Sequence, residues 1–165
     1  RSVSEILDMI RTLGALVGAG DRANDLASTL AANLEQMRKN APRHRPKVYF
    51  EEWDDPMISG IQWVSELIAI AGGDDIFPER AKQKSAKNRI VTAQDIIDRA
   101  PDIVIGSWCG KKFRPEKFAA RAGFDALPAV RNGRVHEIKS ALILQPGPAA
   151  LTDGLAALQA IIGAA

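Results

Sequence analysis

The chain has 165 residues, 46% of them hydrophobic and 25% charged, with a formal net charge of +2. That is apolar material for one core of ordinary size, and too little positive charge, with no dense Lys/Arg stripe, for a nucleic-acid partner. No apolar run approaches the roughly 18 residues that cross a bilayer, and the single cysteine, Cys109, excludes an internal disulfide. The first residues fall straight into a helical pattern without the parts of a secretory leader, so the chain reads as a processed protein or a piece of a longer one.

Ser2 and Glu5 fit a capping box, and Ile6, Ile10, Leu13 and Val17 follow at helical spacing until Gly18 and Gly20. Asp21 is placed to cap a second helix, with Leu26, Leu30, Leu34 and Met37 as its stripe. The basic, proline-bracketed run "KNAPRHRPK" ends it. These helices (1–42) come before any strand and are expected to form an appendage to a main unit over 43–165.

From Lys47 the pattern changes. "KVYFEEW" is a strand, "SGIQWVSELIAIAGG" a helix closed by two glycines, and "DDIFPERAKQKSAKN" a polar connection. The basic stretch from Lys82 to Arg89 reads as a solvated loop. "RIV" is a short strand candidate, and "TAQDIIDRA" a helix with a second capping box at Thr92 and Asp95. "PDIVIGSW" has the continuous apolar centre of a strand buried on both faces. "RPEKFAARAG" is a helix with Pro115 in its first turn. "RNGRVHEI" is an Asn-Gly turn into a last strand, and "PGPAALTDGLAALQAIIGA" the closing helix.

This alternation predicts an α/β fold: a mostly parallel sheet with helices on both faces. Ligands of such sheets bind outside the carboxyl ends of the strands. Trp53 and Asp54 stand at the end of one predicted strand, and Trp108, Cys109 and Gly110 at the end of another. The expectation is two indoles on one rim, as stiff contact surfaces for a bulky ligand; the alternative makes one of them core and the other a loop anchor. Trp63, inside a helix, reads as core.

Other chemistries are less well supplied. Glu51, Glu52, Asp54 and Asp55 alternate in direction along a strand, and His44 and His136 lack metal-ligand spacing, so no metal site is assigned. Cys109 as a nucleophile has no paired acid and base, although His136 stands in a neighbouring unit; a cytoplasmic enzyme using Cys109 is kept as a remote alternative, and a structural interaction domain as another. No phosphate loop exists, and "CGKK" offers only Lys111 and backbone amides to an anion. Binding without catalysis is the reading, with no resident cofactor.

The phrases "EEWDDPMISGIQWVSELIAIAGGDDIF", "APDIVIGSWCG", "LPAVRNGRVHEI" and "QPGPAALTDGLAAL" stand in an order that resembles the substrate-binding proteins of ABC importers, in their cobalamin and iron-siderophore class and particularly its cobalamin-binding branch. The resemblance implies two α/β lobes joined by a rigid helix, a solute held between them, delivery to a permease with its ATPase, and a periplasmic or other extracytoplasmic location. This chain resembles the connecting helix and carboxyl-terminal lobe, with the amino-terminal lobe absent. It implies that Trp53, Asp54, Asp55, Pro56, Trp108, Cys109, Gly110, Lys111 and the loop Leu144–Pro148, including Gln145, face the ligand. The implied cargo is cobalamin or another corrinoid; alternatively it is a ferric siderophore or haem, for which Lys111, Lys112 and Arg114 supply positive charge. The family's permease-docking glutamate is replaced here by Gln94, with Asp95 beside it, and an aromatic residue ahead of that helix by Asn88.

Overall fold

The computed structural model of the protein describes residues 1–42 and 44–164. Helix α1 (Val3–Leu16) starts with the expected capping box: Ser2 Oγ accepts from the Glu5 amide at 3.2 Å, and the Glu5 carboxylate accepts from the Ser2 amide at 2.8 Å. The chain turns at Gly18, whose φ of +70° favours glycine, and enters α2 (Gly20–Lys39). Asp21 does not cap α2 but lies in its first turn.

The buried stripes also differ from those expected. Leu13, Val17 and Leu26 are exposed, and α2 buries Ala23, Ala27, Leu30 and Leu34. The cause is a close crossing: a Cβ added to Gly14 would lie 2.1 Å from that of Ala23. Small residues bring the helices together and set the buried face, leaving larger neighbours outside. Val3, Ile6, Leu7 and Ile10 join one core with Val64, Leu67 and Ile68. The expected appendage is therefore packed onto the main fold.

From residue 47 the order is β1 (Lys47–Asp54), β2 (Met57–Ser59), α3 (Gln62–Ile70), β3 (Asp74–Asp75), α4 (Pro78–Ala81), α5 (Ala93–Arg99), β4 (Ile103–Gly106), α6 (Pro115–Ala119), α7 (Pro128–Arg131), β5 (Val135–Glu137), α8 (Ser140–Ile143) and α9 (Leu155–Ile162). Parallel pairing joins β1 to β4 and β4 to β5. The other edge of β1 is shared: its first residues pair parallel with β3, its last antiparallel with β2. The sheet is mostly parallel, as expected.

Side chains alternate across this sheet and so build two cores. Val48, Phe50, Ile103 and Ile105 pack under α1, α2, α3 and α9. Tyr49 and Val104 pack on the opposite face with Phe77, Ile96, Phe118 and Phe124.

Three local expectations are corrected. Ser59, read as the first residue of a helix, ends the returning arm of a hairpin (Met57–Ser59), and α3 begins only at Gln62. "RIV" is not a strand; Ile90 makes a single bridge to Ile58. In the stretch from Lys82 to Arg89, Arg89 is 1% exposed and belongs to the interior. The glycine closure of α3, at Gly72 with φ +96°, and Pro115 in the first turn of α6 are as expected. The closing helix winds through a wider π turn at Ala150–Gly154, where Gly154 lies against the Leu142 carbonyl, before α9.

Candidate functional site

At the carboxyl end of β1 the strand register shifts between Glu51 and Trp53, so that Glu51 opposes Ser59 and Trp53 opposes Ile58. Such a bulge re-aims the side chains around it. The chain then turns through Asp55 and Pro56, both exposed and joined by a cis peptide bond. The Trp53 indole donates to the Asp55 carbonyl at 3.0 Å, fixing its half-buried ring at the turn.

The acidic residues gathered here go to different partners. Glu51 is wholly buried. Its carboxylate receives Arg121 through two bonds (2.6 and 2.9 Å), the Tyr49 hydroxyl at 3.2 Å and the Trp108 indole at 3.2 Å. Burial pushes this carboxyl above its ordinary value, and the Arg121 bonds hold it back. Burial likewise raises the Tyr49 hydroxyl well above the usual range, with Glu51 adding to it. Glu52 turns the other way and receives both outer nitrogens of Arg89, at 2.6 and 2.9 Å, while Arg89 also donates to the Ser59 carbonyl. Asp54 meets Lys111 at 2.7 Å.

The loop after β4 completes the edge. Trp108 is only 5% exposed, packed edge-on against Phe113 at 4.9 Å between ring centroids. It shares the rim with Trp53, but it is not the open contact surface expected; it forms part of the wall. The two rings are joined by Lys111, whose ammonium lies 4.7 Å from the Trp53 centroid and 4.8 Å from that of Trp108. Cys109 and Gly110 are exposed, the latter at φ +77°. Phe113 is pressed onto Gly106, and its amide donates to Glu137 at 2.8 Å.

Two hollows flank this loop. One, of about 520 Å³, is bounded by Trp108, Gly110, Lys111, Lys112 and Lys139, with Glu137. The other, of about 270 Å³, is largely apolar: Trp53, Ile58, Ile61, Trp63 and Leu144, with Cys109 and Glu52. Trp63 is mostly buried, as expected of core, and its indole donates to the Ile143 carbonyl at 2.8 Å. Gln145 is exposed beside Leu144. Arg114 is exposed and lies 3.9 Å from Glu116. His136 is half-buried in β5, its imidazole held below the ordinary value by burial and by Arg134; His44 is exposed.

Away from this edge, Gln94 is exposed and donates to Asp98 at 2.7 Å. The Asp95 carboxylate closes the expected capping box, accepting from the Thr92 amide at 2.8 Å and hydroxyl at 2.7 Å, and these bonds, the amide first, hold it below the ordinary carboxylate range. Asn88 lies in a 3-10 turn over Ala86–Arg89.

Sequence reasoning missed Arg121, Arg89, Tyr49 and Lys139. The three basic residues reach the rim through the fold rather than through neighbours in sequence. The only local signal was the pairing of aromatic and acidic residues in "VYFEEW", where Tyr49 and Glu51 share a strand face.

Comparison with known proteins agrees with this architecture. The model of a family described as periplasmic binding protein matches residues 1–142. No curated protein matches by sequence. Among solved structures, a possible iron-binding (periplasmic solute-binding) protein from Staphylococcus epidermidis superposes with a TM-score of 0.81 at 24% identity, over 98% of this chain and 63% of that one. An ABC-type Fe3+-hydroxamate transport system structure from Saccharomonospora viridis gives 0.77 at 22%, over 99% and 57%. The periplasmic vitamin B12 binding protein of Vibrio cholerae gives 0.70 at 20%, over 99% and 62%. At these identities the likeness is one of fold, and the chain spans 57 to 63% of the length of these three relatives.

Proposed function

The chain belongs to the periplasmic binding protein family, and from that premise we propose that it is the carboxyl-terminal lobe of an extracytoplasmic solute-binding protein serving an ABC importer. Its role is capture without chemical conversion: a bulky chelate rests on the carboxyl edge of β1 and β4 and is passed, with a second lobe, to a permease and its ATPase. The observation that carries this is the convergence of Trp53, Trp108, Asp54 and Lys111 beside two hollows at the edge where parallel sheets take ligands.

The half-exposed Trp53 ring beside an apolar hollow suits the flat body of cobalamin or another corrinoid. Three lysines around the larger hollow favour the second reading, a ferric chelate or haem bearing negative charge. Docking on the permease through α5 would use Gln94 and Asp95, whose carboxylate gives only one of its two oxygens to the helix cap.

One lobe supplies half of a two-lobed contact set, so binding by this chain alone is expected to be saturable but weaker than micromolar. Titration with cyanocobalamin, haemin and ferric desferrioxamine B, followed by tryptophan emission, tests this. Absence of saturable quenching by all three at millimolar concentration would remove the solute-site reading.

A further inference from the structure

We propose that Lys111 decides the charge class of the solute this edge accepts, an inference that rests on reading the edge as a solute site. Its ammonium lies against both indole faces, at 4.7 and 4.8 Å, and 2.7 Å from Asp54. Two aromatic faces and a carboxylate are the parts of a receptor for an alkylammonium group. Here the protein's own side chain fills that receptor. A solute carrying a positive group meets an occupied seat and a charge of its own sign.

A solute carrying a carboxylate or similar anion meets the reverse. Lys112 and Lys139 border the same hollow of about 520 Å³, and neither is in an ion pair among the described residues. Glu137 is the acid on that wall, and one of its carboxylate oxygens is engaged by the Phe113 amide at 2.8 Å. The Lys111 side chain is 44% exposed. It already borders the hollow, and contacts on its exposed side are weak ones. Rotation about its own torsions therefore turns the ammonium toward a solute anion whose pairing offsets the contact given up at Asp54, itself 22% exposed. An anionic arm on the solute draws the ammonium out from between the indoles. The favoured class is a metal chelate with an apolar body and at least one anionic arm.

The test uses three ferric desferrioxamine chelates that differ only in the pendant group: free ammonium, N-acetyl, and N-succinyl with its carboxylate. With the natural chain, the succinyl form is expected to bind about tenfold more tightly than the ammonium form, with the acetyl form between. In Lys111→Met, which keeps the apolar stem and removes the charge, that order should flatten. Equal affinities in the natural chain, or an order unchanged in Lys111→Met, would overturn the inference while leaving the solute site standing. Failure of all three chelates, haemin and cyanocobalamin to bind would instead overturn the site reading. A ligand-free measurement stands beside these: Lys111→Ala should increase acrylamide quenching of the indole emission, because Trp63 and Trp108 are buried and Trp53 is the ring the lysine covers. Unchanged quenching would mean that the lysine is not parked there.

Discussion

Arg121 grips Glu51 with two nitrogens, at 2.6 and 2.9 Å, and the Trp108 indole donates to the same carboxylate at 3.2 Å. The arginine arrives from the segment after α6 and the glutamate from β1, so this pair ties the second core to the strand that carries the rim. Removing one partner of a buried pair strands the other charge, at a cost of about 3–5 kcal/mol. Arg121→Met is expected to lose that much stability in urea unfolding, and the double variant Glu51→Met/Arg121→Met to recover most of it. If the single variant unfolds like the natural chain, the pair does not stabilise the fold.

The same carboxyl gives a pH dependence. Its ordinary value is 4.5, and burial holds the folded value above that. Below 4.5 both folded and unfolded chains keep the proton, and nothing is lost. As pH rises from 4.5 toward the folded value, the unfolded chain releases its proton first, so stability falls. Arg121→Met removes bonds that lower the folded value and should carry this fall on to higher pH. Urea midpoints measured from about pH 4 to pH 7 should therefore diverge between variant and natural chain, and parallel curves would contradict the assignment.

On the other face of β1, Glu52 neutralises Arg89, which is 1% exposed. Glu52→Ala leaves a guanidinium buried without its carboxylate and should cost about 3–5 kcal/mol. Because Arg89 also holds the Ser59 carbonyl, the hairpin should loosen. A red shift of the Trp53 emission beside it is the accompanying signal to measure.

Gly106 is a position where only glycine fits. A Cβ there would stand 1.9 Å from Cδ2 of Phe113, and Phe113 is the edge-on neighbour of Trp108. Gly106→Ala should cost about 1–3 kcal/mol through overpacking and alter the near-ultraviolet circular dichroism of Trp108. Retention of both stability and spectrum would show that Phe113 moves aside freely.

Ala100 closes α5 with φ +45°, a left-handed conformation that disfavours L-residues. Its amide still serves the Ile96 and Ile97 carbonyls, a bond any residue can make. Ala100→Gly should therefore stabilise the chain by about 0.5 kcal/mol after the extra freedom of unfolded glycine is counted, seen as a small rise in Tm.

Much of this fold is legible in sequence because its signals are local. "IVIG" announces a strand covered on both sides, and Thr92 and Asp95 announce a helix start from residues three apart. Where packing decides, the reading slips. Leu13 and Leu26 have the right spacing for a buried face, yet Gly14 and Ala23 permit the closer crossing and turn that face elsewhere. β2 is three residues long, too short for alternation to register. Trp53 and Trp108 are rightly set on one edge, but their unequal burial depends on Glu51 and Phe113, and the burial of Arg89 on a glutamate 37 positions away. None of these dependencies is visible from neighbours in the chain.

Consecutive carboxylates on one strand reach in opposite directions, Glu51 to Arg121 and Glu52 to Arg89. The end of β1 is thereby stayed from both sides, as guy ropes hold a mast. On the proposed reading, a cargo landing there would meet a support held from both sides, so shape would have to be matched by the visitor. The freedom left for adjustment would belong to the long Lys111 amine draped over the two indoles.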